Sequence, residues 1–239
     1  MLALDTSTEC CSVALLLDGE VRLREEITER SHAELVLPMV DALLAEAGLA
    51  LGDLDGIAFG RGPGAFTGLR IAAGVVQGLA FGADLKVAPV SSLAAVAAQV
   101  PGLPGESVLV CNDARMGEVY WGVFRLEANG SVTELLQASV SPPDRVGEGA
   151  ATLSHAAGNA LARHPVLAER LSTQGLRLHG GLLPRADAVA RLGARVLASG
   201  EGLPADQALP VYVRDDERHT YVPITAELDA QIRTGARRL

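Results

Sequence analysis

Two stretches of this 239-residue sequence begin in the same way, and this repetition restricts the fold more than any other feature. One strand-like run ends in Asp5, and another, at residues 108–113, ends in Asp113. Each is followed by a second strand-like run and then by a two-residue turn signal, Asp-Gly at 18–19 and Asn-Gly at 129–130. We predict an internal duplication of a β-β-β unit, although two short matches are also compatible with coincidence.

Hydrophobic periodicity gives the order β-β-β-α-β-α-β-α for the first half, which indicates a mixed sheet with helical crossovers. Ser31 and Glu34 have the spacing of an N-terminal capping box, Gly48 suits a helix end, and Pro38 should kink the helix between them. The predicted strands cover residues 2–5, 12–17, 20–27, 55–59 and 86–90, and the predicted helices cover residues 31–47, 69–81 and 91–99.

The turn formers at 101–105 mark a boundary between two lobes. We predict a first lobe at 1–100, a second, reduced lobe at 106–214 and a helical tail at 215–239. Within the second lobe we predict strands at 108–113 and 118–127, helical structure around 151–170, a helix at 184–199, a late strand at 211–214 and a terminal helix after Pro223.

The chain carries 29 acidic against 20 basic residues, a net charge of −9, which argues against a stand-alone binder of nucleic acid or anionic membranes. The longest charge-free run contains three prolines, so no membrane span is predicted. Three cysteines, Cys10, Cys11 and Cys111, fit neither a disulfide framework nor a zinc site. Since Asp5 interrupts any hydrophobic leader, we expect a reduced, cytoplasmic protein.

The glycine-rich segment 60–68 lies between a predicted strand and a predicted helix, where free backbone N–H groups could hold an anion. It is neither a Walker A sequence nor G-x-G-x-x-G, and its spacing alone favours a tight reversal of the chain. Asp5 and Asp113 at two strand ends could hold Mg²⁺ across one cleft. Asp5 capping the turn at 6–8 is the simpler interpretation.

The predicted helix at 69–81 is apolar nearly all round, with Gln77 as its one polar side chain between Ile71 and Phe81. A helix of this kind is buried on every side. Either it is the central core helix of the first lobe, or a partner chain covers its outer face, and the pattern favours both interpretations equally.

Five motifs together resemble the TsaB (YeaZ) family, which has the actin-like ATPase (ASKHA) fold, an α/β fold of two lobes with mixed sheets and flanking helices. They run in the family's order from the first strand to about residue 214. The motifs are Leu4-Asp-Thr-Ser-Thr8, Ser12-Val-Ala-Leu15, Gly60-Arg-Gly-Pro-Gly-Ala-Phe-Thr-Gly-Leu-Arg-Ile71, Asp113-Ala-Arg-Met-Gly-Glu-Val-Tyr-Trp121 and Pro210-Val-Tyr-Val-Arg214.

The resemblance implies a non-catalytic scaffold in the formation of N6-threonylcarbamoyladenosine at position 37 of tRNAs that read codons beginning with A. Its implied partners are a TsaD-like transferase, a TsaE-like ATPase and, when alone, a second copy of itself; tRNA is reached only through the complex, and no cofactor is implied. TsaD-like chains carry a metal-binding His-x-x-x-His after the fifth strand, where this chain has Ser92 and Val96. Neither side chain replaces an imidazole ligand.

The resemblance places a dimer or TsaD interface on the two long helices of the first lobe. The alternative functions are an active small-molecule kinase of the same fold and a glycoprotease-like metallopeptidase. This sequence carries the motifs of neither. The candidate interface residues are Leu35, Val36, Met39, Val40, Leu43, Leu69, Ala72, Ala73 and Val76, and the candidate weak nucleotide or anion loop contains Asp5, Thr6, Ser7, Gly62, Gly64 and Thr67.

Overall fold

The computed structural model describes residues 1–28 and 30–214, so the predicted tail helix lies outside the described residues. Two five-stranded sheets form the framework of the described part. The strands are β1 (Leu2–Asp5), β2 (Cys10–Leu17), β3 (Glu20–Ile27), β4 (Gly56–Gly60), β5 (Lys86–Val90), β6 (Ser107–Asp113), β7 (Val119–Leu126), β8 (Val132–Ser141), β9 (His155–Ala157) and β10 (Arg177–His179). The α-helices are α1 (His32–Ala47), α2 (Phe66–Ala83), α3 (Ser92–Ala97), α4 (Ala160–Arg163), α5 (Pro165–Thr173) and α6 (Ala186–Ala198).

The two sheets have the same topology. Their orders are β3-β2-β1-β4-β5 and β8-β7-β6-β9-β10. In each sheet the first three strands along the chain pair antiparallel, and the last two add in parallel. Asp18 and Gly19 both have positive φ, 48° and 88°, as a tight hairpin turn requires. The predicted duplication is therefore confirmed at the level of topology.

The two halves exchange one helix each. The helix α3 follows the first sheet but packs Leu93 and Val96 against β6 and β7 of the second. The helix α6 follows the second sheet but packs on the first, where a Cβ atom on Gly193 would lie 2.3 Å from the Cβ of Ala58. Because alanines form this face of the sheet, α6 approaches closely. The exchange ties the lobes together.

The first helices differ from the predictions in detail. The Ser31 hydroxyl makes no cap hydrogen bond, and the Ser31 carbonyl instead accepts the backbone N–H groups of Glu34 and Leu35 at 3.1 and 3.0 Å. The predicted capping box is thus wrong, whereas Gly48 ends α1 in the left-handed conformation as predicted. The helix α1 continues through Pro38 as one element. The helix α2 begins three residues earlier than predicted, at Phe66.

One prediction for the second half is confirmed in part, and another is wrong. Residues 151–170 contain the strand β9, which precedes two short helices separated at Pro165. All three β9 residues are buried between parallel neighbours, so they show no alternation that a sequence pattern could reveal. Residues 211–214 are not a strand; a single backbone hydrogen bond joins the Val211 N–H to the Arg61 carbonyl at 2.7 Å.

Within the described residues, α2 is the one helix long and apolar enough to cross a membrane by length and composition. Its buried face packs Ala72, Ala73 and Val76 into the core over the first sheet. The core of the first lobe therefore accounts for the hydrophobicity of this buried face of α2.

Candidate functional site

A cavity of about 370 Å³ lies between the lobes. The turn after β1, the start of α2, the β6–β7 hairpin and Asn159 line it. Of the candidate anion-loop residues, four line this cavity and two do not. Those that line it are Thr6, Ser7, Gly64 and Thr67, and the two outside it are Asp5 and Gly62.

Asp5 is fully buried and its carboxylate is used inside the protein. One oxygen accepts the backbone N–H of Ser7 at 2.8 Å and its hydroxyl at 2.6 Å, and the other accepts the Ser92 hydroxyl at 3.2 Å. Burial raises the pKa of Asp5, although the hydrogen bonds from Ser7 and Ser92 oppose this effect. The turn-capping interpretation is confirmed, and Asp5 does not face Asp113 across the cavity.

The glycines of the 60–68 loop permit close packing on this turn. A Cβ atom on Gly60 would lie 1.7 Å from the Asp5 carboxylate, and one on Gly64 would lie 2.4 Å from the Ser7 carbonyl oxygen. On Gly68 it would lie 1.9 Å from the Thr6 carbonyl oxygen. Gly62 has φ +108°, which side chains rarely adopt. The loop is built for tight chain reversal, as its spacing favoured.

The cavity is also lined by Glu9 and Asn159, which the sequence analysis did not single out. The Asn159 amide donates to Glu9 at 3.2 Å, and its oxygen accepts the Asp113 N–H at 2.8 Å. The Arg163 guanidinium lies 3.4 Å from Glu9 and 3.5 Å from Asp113. These contacts join residues up to 154 positions apart, so periodicity carries no signal of them.

Ser92 and Val96, at the positions where TsaD-like chains would have metal ligands, are fully buried. The Ser92 hydroxyl donates to Asp5 and accepts the Gly62 N–H at 3.2 Å. In the part of the chain that the structure describes, no three His, Cys, Asp or Glu side chains are grouped so that they could hold a metal ion.

Replacing Ser92 with alanine should lower the free energy of unfolding by about 1–3 kcal/mol, because it leaves a buried carboxylate oxygen without its donor. Denaturant unfolding of S92A and wild type measures this. The matched control is S139A, since the Ser139 hydroxyl makes only an exposed 3.4 Å bond to the Gln137 carbonyl. Equal stability of S92A and S139A would contradict the role given to Ser92.

The cysteines do not form a nucleophilic site. Cys10, Cys11 and Cys111 are buried and unbridged. Burial, with the nearby Asp5 charge, raises the pKa of Cys10 to about 12 and that of Cys11 to about 11. Thiols of this kind remain protonated and inert at neutral pH.

A second polar cluster joins the linker to the edge of the second sheet. Buried His155 contacts Glu106 through Nε2 and His179 through Nδ1, each at 3.0 Å. The hydrogen bond with His155, followed by that from the Leu103 N–H, lowers the pKa of Glu106 to about 2. Burial, and then the neighbouring His155 and Arg177 charges, lowers the pKa of His179.

Because of the lowered pKa of His179, the free energy of unfolding should decrease as the pH falls below about 6.5, the ordinary histidine pKa. Since folding lowers the pKa of His179, the folded state favours the neutral ring. The stabilising contribution of the neutral ring is complete above the pKa that His179 has in the unfolded state. It is lost as the pH falls through the pKa that His179 has in the folded state. Thermal unfolding between pH 7.5 and 5.5 should therefore show a smaller loss of stability for H179Q than for wild type. Equal losses would contradict this assignment.

The candidate interface residues divide into two groups. The structure buries seven of the nine. Six of them lie in the core over the first sheet, because the apolar stripes of α1 and α2 face that sheet, and Leu69 is buried beside Gly62 of the glycine-rich loop. A side chain without exposed surface makes no direct contact with a partner. Leu35 and Met39 keep part of their surface exposed. The seven buried residues are Val36, Val40, Leu43, Leu69, Ala72, Ala73 and Val76.

The outer face of α2 is the apolar surface that remains. Gly78 and Gly82 are exposed, and a Cβ atom on either would have no neighbour within 4 Å. Phe81 beside them is 77% exposed. Ile71 and Gly74 on the same side are half-buried. We call these five residues the α2 outer face; Gly78 and Gly82 serve no packing need within the described chain.

Two lobes with the same sheet order, exchanged helices and a cleft between them define the class of protein. It is the actin-like ATPase (ASKHA) fold, as the motifs predicted. The family described as "TsaD: tRNA N6-adenosine threonylcarbamoyltransferase" matches residues 25–179. Together with the relatives below, this match shows that the chain belongs to the TsaB (YeaZ) family.

Known proteins are similar to this one over much of its length. The tRNA threonylcarbamoyladenosine biosynthesis protein TsaB of Escherichia coli is 39% identical over 222 residues, 90% of this chain and 95% of that protein. The protein of the same name from Haemophilus influenzae is 51% identical over 139 residues, 57% of this chain and 59% of that protein. A crystal structure of a Pseudomonas aeruginosa protein with similarity to peptidase YeaZ has TM-score 0.79 and 47% identity, covering 89% of this chain and 98% of that one.

Proposed function

We propose that this protein is a non-catalytic scaffold subunit in the formation of N6-threonylcarbamoyladenosine at position 37 of tRNAs that read codons beginning with A. In this role it binds and activates a TsaD-like transferase together with a TsaE-like ATPase. The names of the relatives support the pathway. The α2 outer face is the observation that carries the scaffold role.

This face combines the features of a protein-binding surface. An exposed aromatic ring stands beside two glycines that leave open space, so a partner helix could approach the α2 backbone closely. Leu35, Met39 and Val75 on α1 and α2 pack against the core of the first lobe and keep part of their surface exposed. We propose that a second copy of this chain uses the face when the protein is alone, and that the transferase replaces it.

The state of the cleft supports a role without catalysis. Asp5 is buried under Ser7 and Ser92, while Asp113 lies beside Arg163, so neither carboxylate is free to hold a metal-bound nucleotide. This disfavours a small-molecule kinase. Ser92 and Val96, in place of metal ligands, disfavour a metallopeptidase. We further propose that contact with tRNA occurs only through the complex, because the chain carries a net charge of −9. We also propose a cytoplasmic location, because Cys10, Cys11 and Cys111 are buried and unbridged.

Threonylcarbamoyl transfer to unmodified tRNA tests the proposal. The assay contains the partner TsaD-like transferase, the adenylate synthase and the TsaE-like ATPase, with and without this protein. We expect modification only when this protein is added, and none when it replaces the transferase. Modification that proceeds equally without it would overturn the scaffold role.

A further inference from the structure

Three residues that line the interlobe cavity, Glu9, Asp113 and Asn159, form a polar cluster with Arg163, and we call these four residues the latch. Glu9 belongs to the β1–β2 turn of the first lobe, whereas the other three belong to the second. The Glu9 carboxylate accepts hydrogen bonds from the Asn159 amide nitrogen at 3.2 Å and from the Arg163 guanidinium at 3.4 Å. The latch is thus a direct polar connection between the lobes.

Charge makes Arg163 the central member of the latch. Glu9 and Asp113 are both largely buried, with 19% and 10% of their side chains exposed, and both lie within 3.5 Å of the same guanidinium. Asp113 also lies 3.6 Å from His164 Nε2 and 4.0 Å from Arg115 Nε, but among the described residues that approach Asp113 in this way only Arg163 also contacts Glu9. Burial alone would raise the pKa of Glu9, but hydrogen bonds from its own N–H and Asn159 and the Arg163 charge lower it. Glu9 is therefore held ionised.

The backbone fixes the latch from the second lobe. The Asn159 oxygen accepts the Asp113 N–H at 2.8 Å, which holds the amide so that its NH₂ group points to Glu9. A Cβ atom on the preceding Gly158 would lie 2.2 Å from the Cys111 carbonyl oxygen. Since only glycine permits this approach, the chain is pressed against β6 just before Asn159. The three latch residues of the second lobe are therefore anchored next to one another, and Glu9 contacts Asn159 and Arg163 from the first lobe.

We propose that Arg163 acts as an internal bridging cation, which ties the two lobes together across the cleft. A bound cation between two facing carboxylates would hold the lobes in the same way, but here the chain supplies the charge itself. The latch is independent of the proposed partner, because every group in it belongs to this chain and none lies on the α2 outer face.

Hydrogen–deuterium exchange of the purified full-length protein tests the latch. In R163Q and E9Q, amide exchange in the turn at 6–9 and the hairpin at 113–118 should rise by about three- to tenfold, as expected for loss of a partly buried ion pair. Exchange in the double variant should be little faster than in either single variant, because each substitution already removes the partner of the other residue. The matched control is R145Q, whose Glu148 pair is exposed and lies within one lobe.

A salt titration of the wild type keeps the test decisive if a variant fails to fold. Raising NaCl from 0.05 to 0.5 M should increase exchange in the same two segments and leave the core strands unchanged, because salt screens the partly exposed Arg163. Unchanged exchange in R163Q and E9Q, additive effects in the double variant, or no response to salt would each overturn the proposal.

Discussion

Replacing Gly68 with alanine should destabilise this protein by more than about 3 kcal/mol, the upper range of overpacking costs. The new Cβ would lie 1.9 Å from the Thr6 carbonyl oxygen, which is backbone and cannot rotate away. Moving α2 outward would break the 2.7 Å hydrogen bond from the Thr6 hydroxyl to the Gly68 carbonyl. For a domain of this size, the midpoint of thermal unfolding should fall by about 6–12 °C.

The same helix supplies the control for this prediction. A Cβ on Gly82 would meet nothing within 4 Å, so G82A should be neutral or stabilise by about 0.5–1 kcal/mol through helix propensity. Both variants are compared by thermal and urea unfolding at low protein concentration. A G68A protein as stable as G82A would show that the loop can relax and that its packing on the β1–β2 turn is not rigid.

Replacing Phe81 with glutamate should weaken binding of the TsaD-like transferase by about thirty- to a thousand-fold while leaving the monomer folded. These factors correspond to about 2–4 kcal/mol, the range for an aromatic hot spot. Phe81 is 77% exposed, so its loss costs little within the chain, and the new charge would be buried against a partner. Isothermal titration with the transferase measures the affinity, and thermal unfolding checks the fold.

Val166 gives a matched control in the second lobe. It is 79% exposed, so V166E introduces the same charge at a comparable exposure away from α2. We expect V166E to bind as the wild type does. Equal weakening by V166E and F81E, or normal binding by F81E, would contradict the placement of the interface on the α2 outer face. Charges at Ala73 or Val76 are unsuitable for this experiment, because both residues are fully buried and a charge there would disrupt the core.

Much of the fold was accessible to sequence reasoning. The strands at 2–5, 20–27 and 86–90 have the predicted bounds, because turn signals or charged neighbours delimit them. The hairpin at Asp18 was specified by local backbone preference alone. In contrast, β9 and the irregular 211–214 segment depend on neighbours far along the chain, and local patterns misassigned both.

The same distinction between local and distant contacts holds for the candidate sites. Turn capping by Asp5 and chain reversal by the glycine loop follow from residue types within a few positions of each other, and the structure confirms both. The pattern of α1 and α2 correctly predicted apolar helices. It could not separate the stripe that faces the sheet from the face left outside, because α2 is apolar on both sides.

The sequence by itself indicated the repeated β-β-β start of the two halves, and it determined the family and the absence of histidines at the positions of Ser92 and Val96, since these features lie in short, ordered motifs. Only the tertiary structure decided which helix faces are covered, that α3 and α6 exchange lobes, and that Arg163 joins Glu9 to Asp113. The physical reason is that burial and charge pairing depend on which distant elements meet in space, whereas turns and strand limits depend on the backbone preferences of adjacent residues.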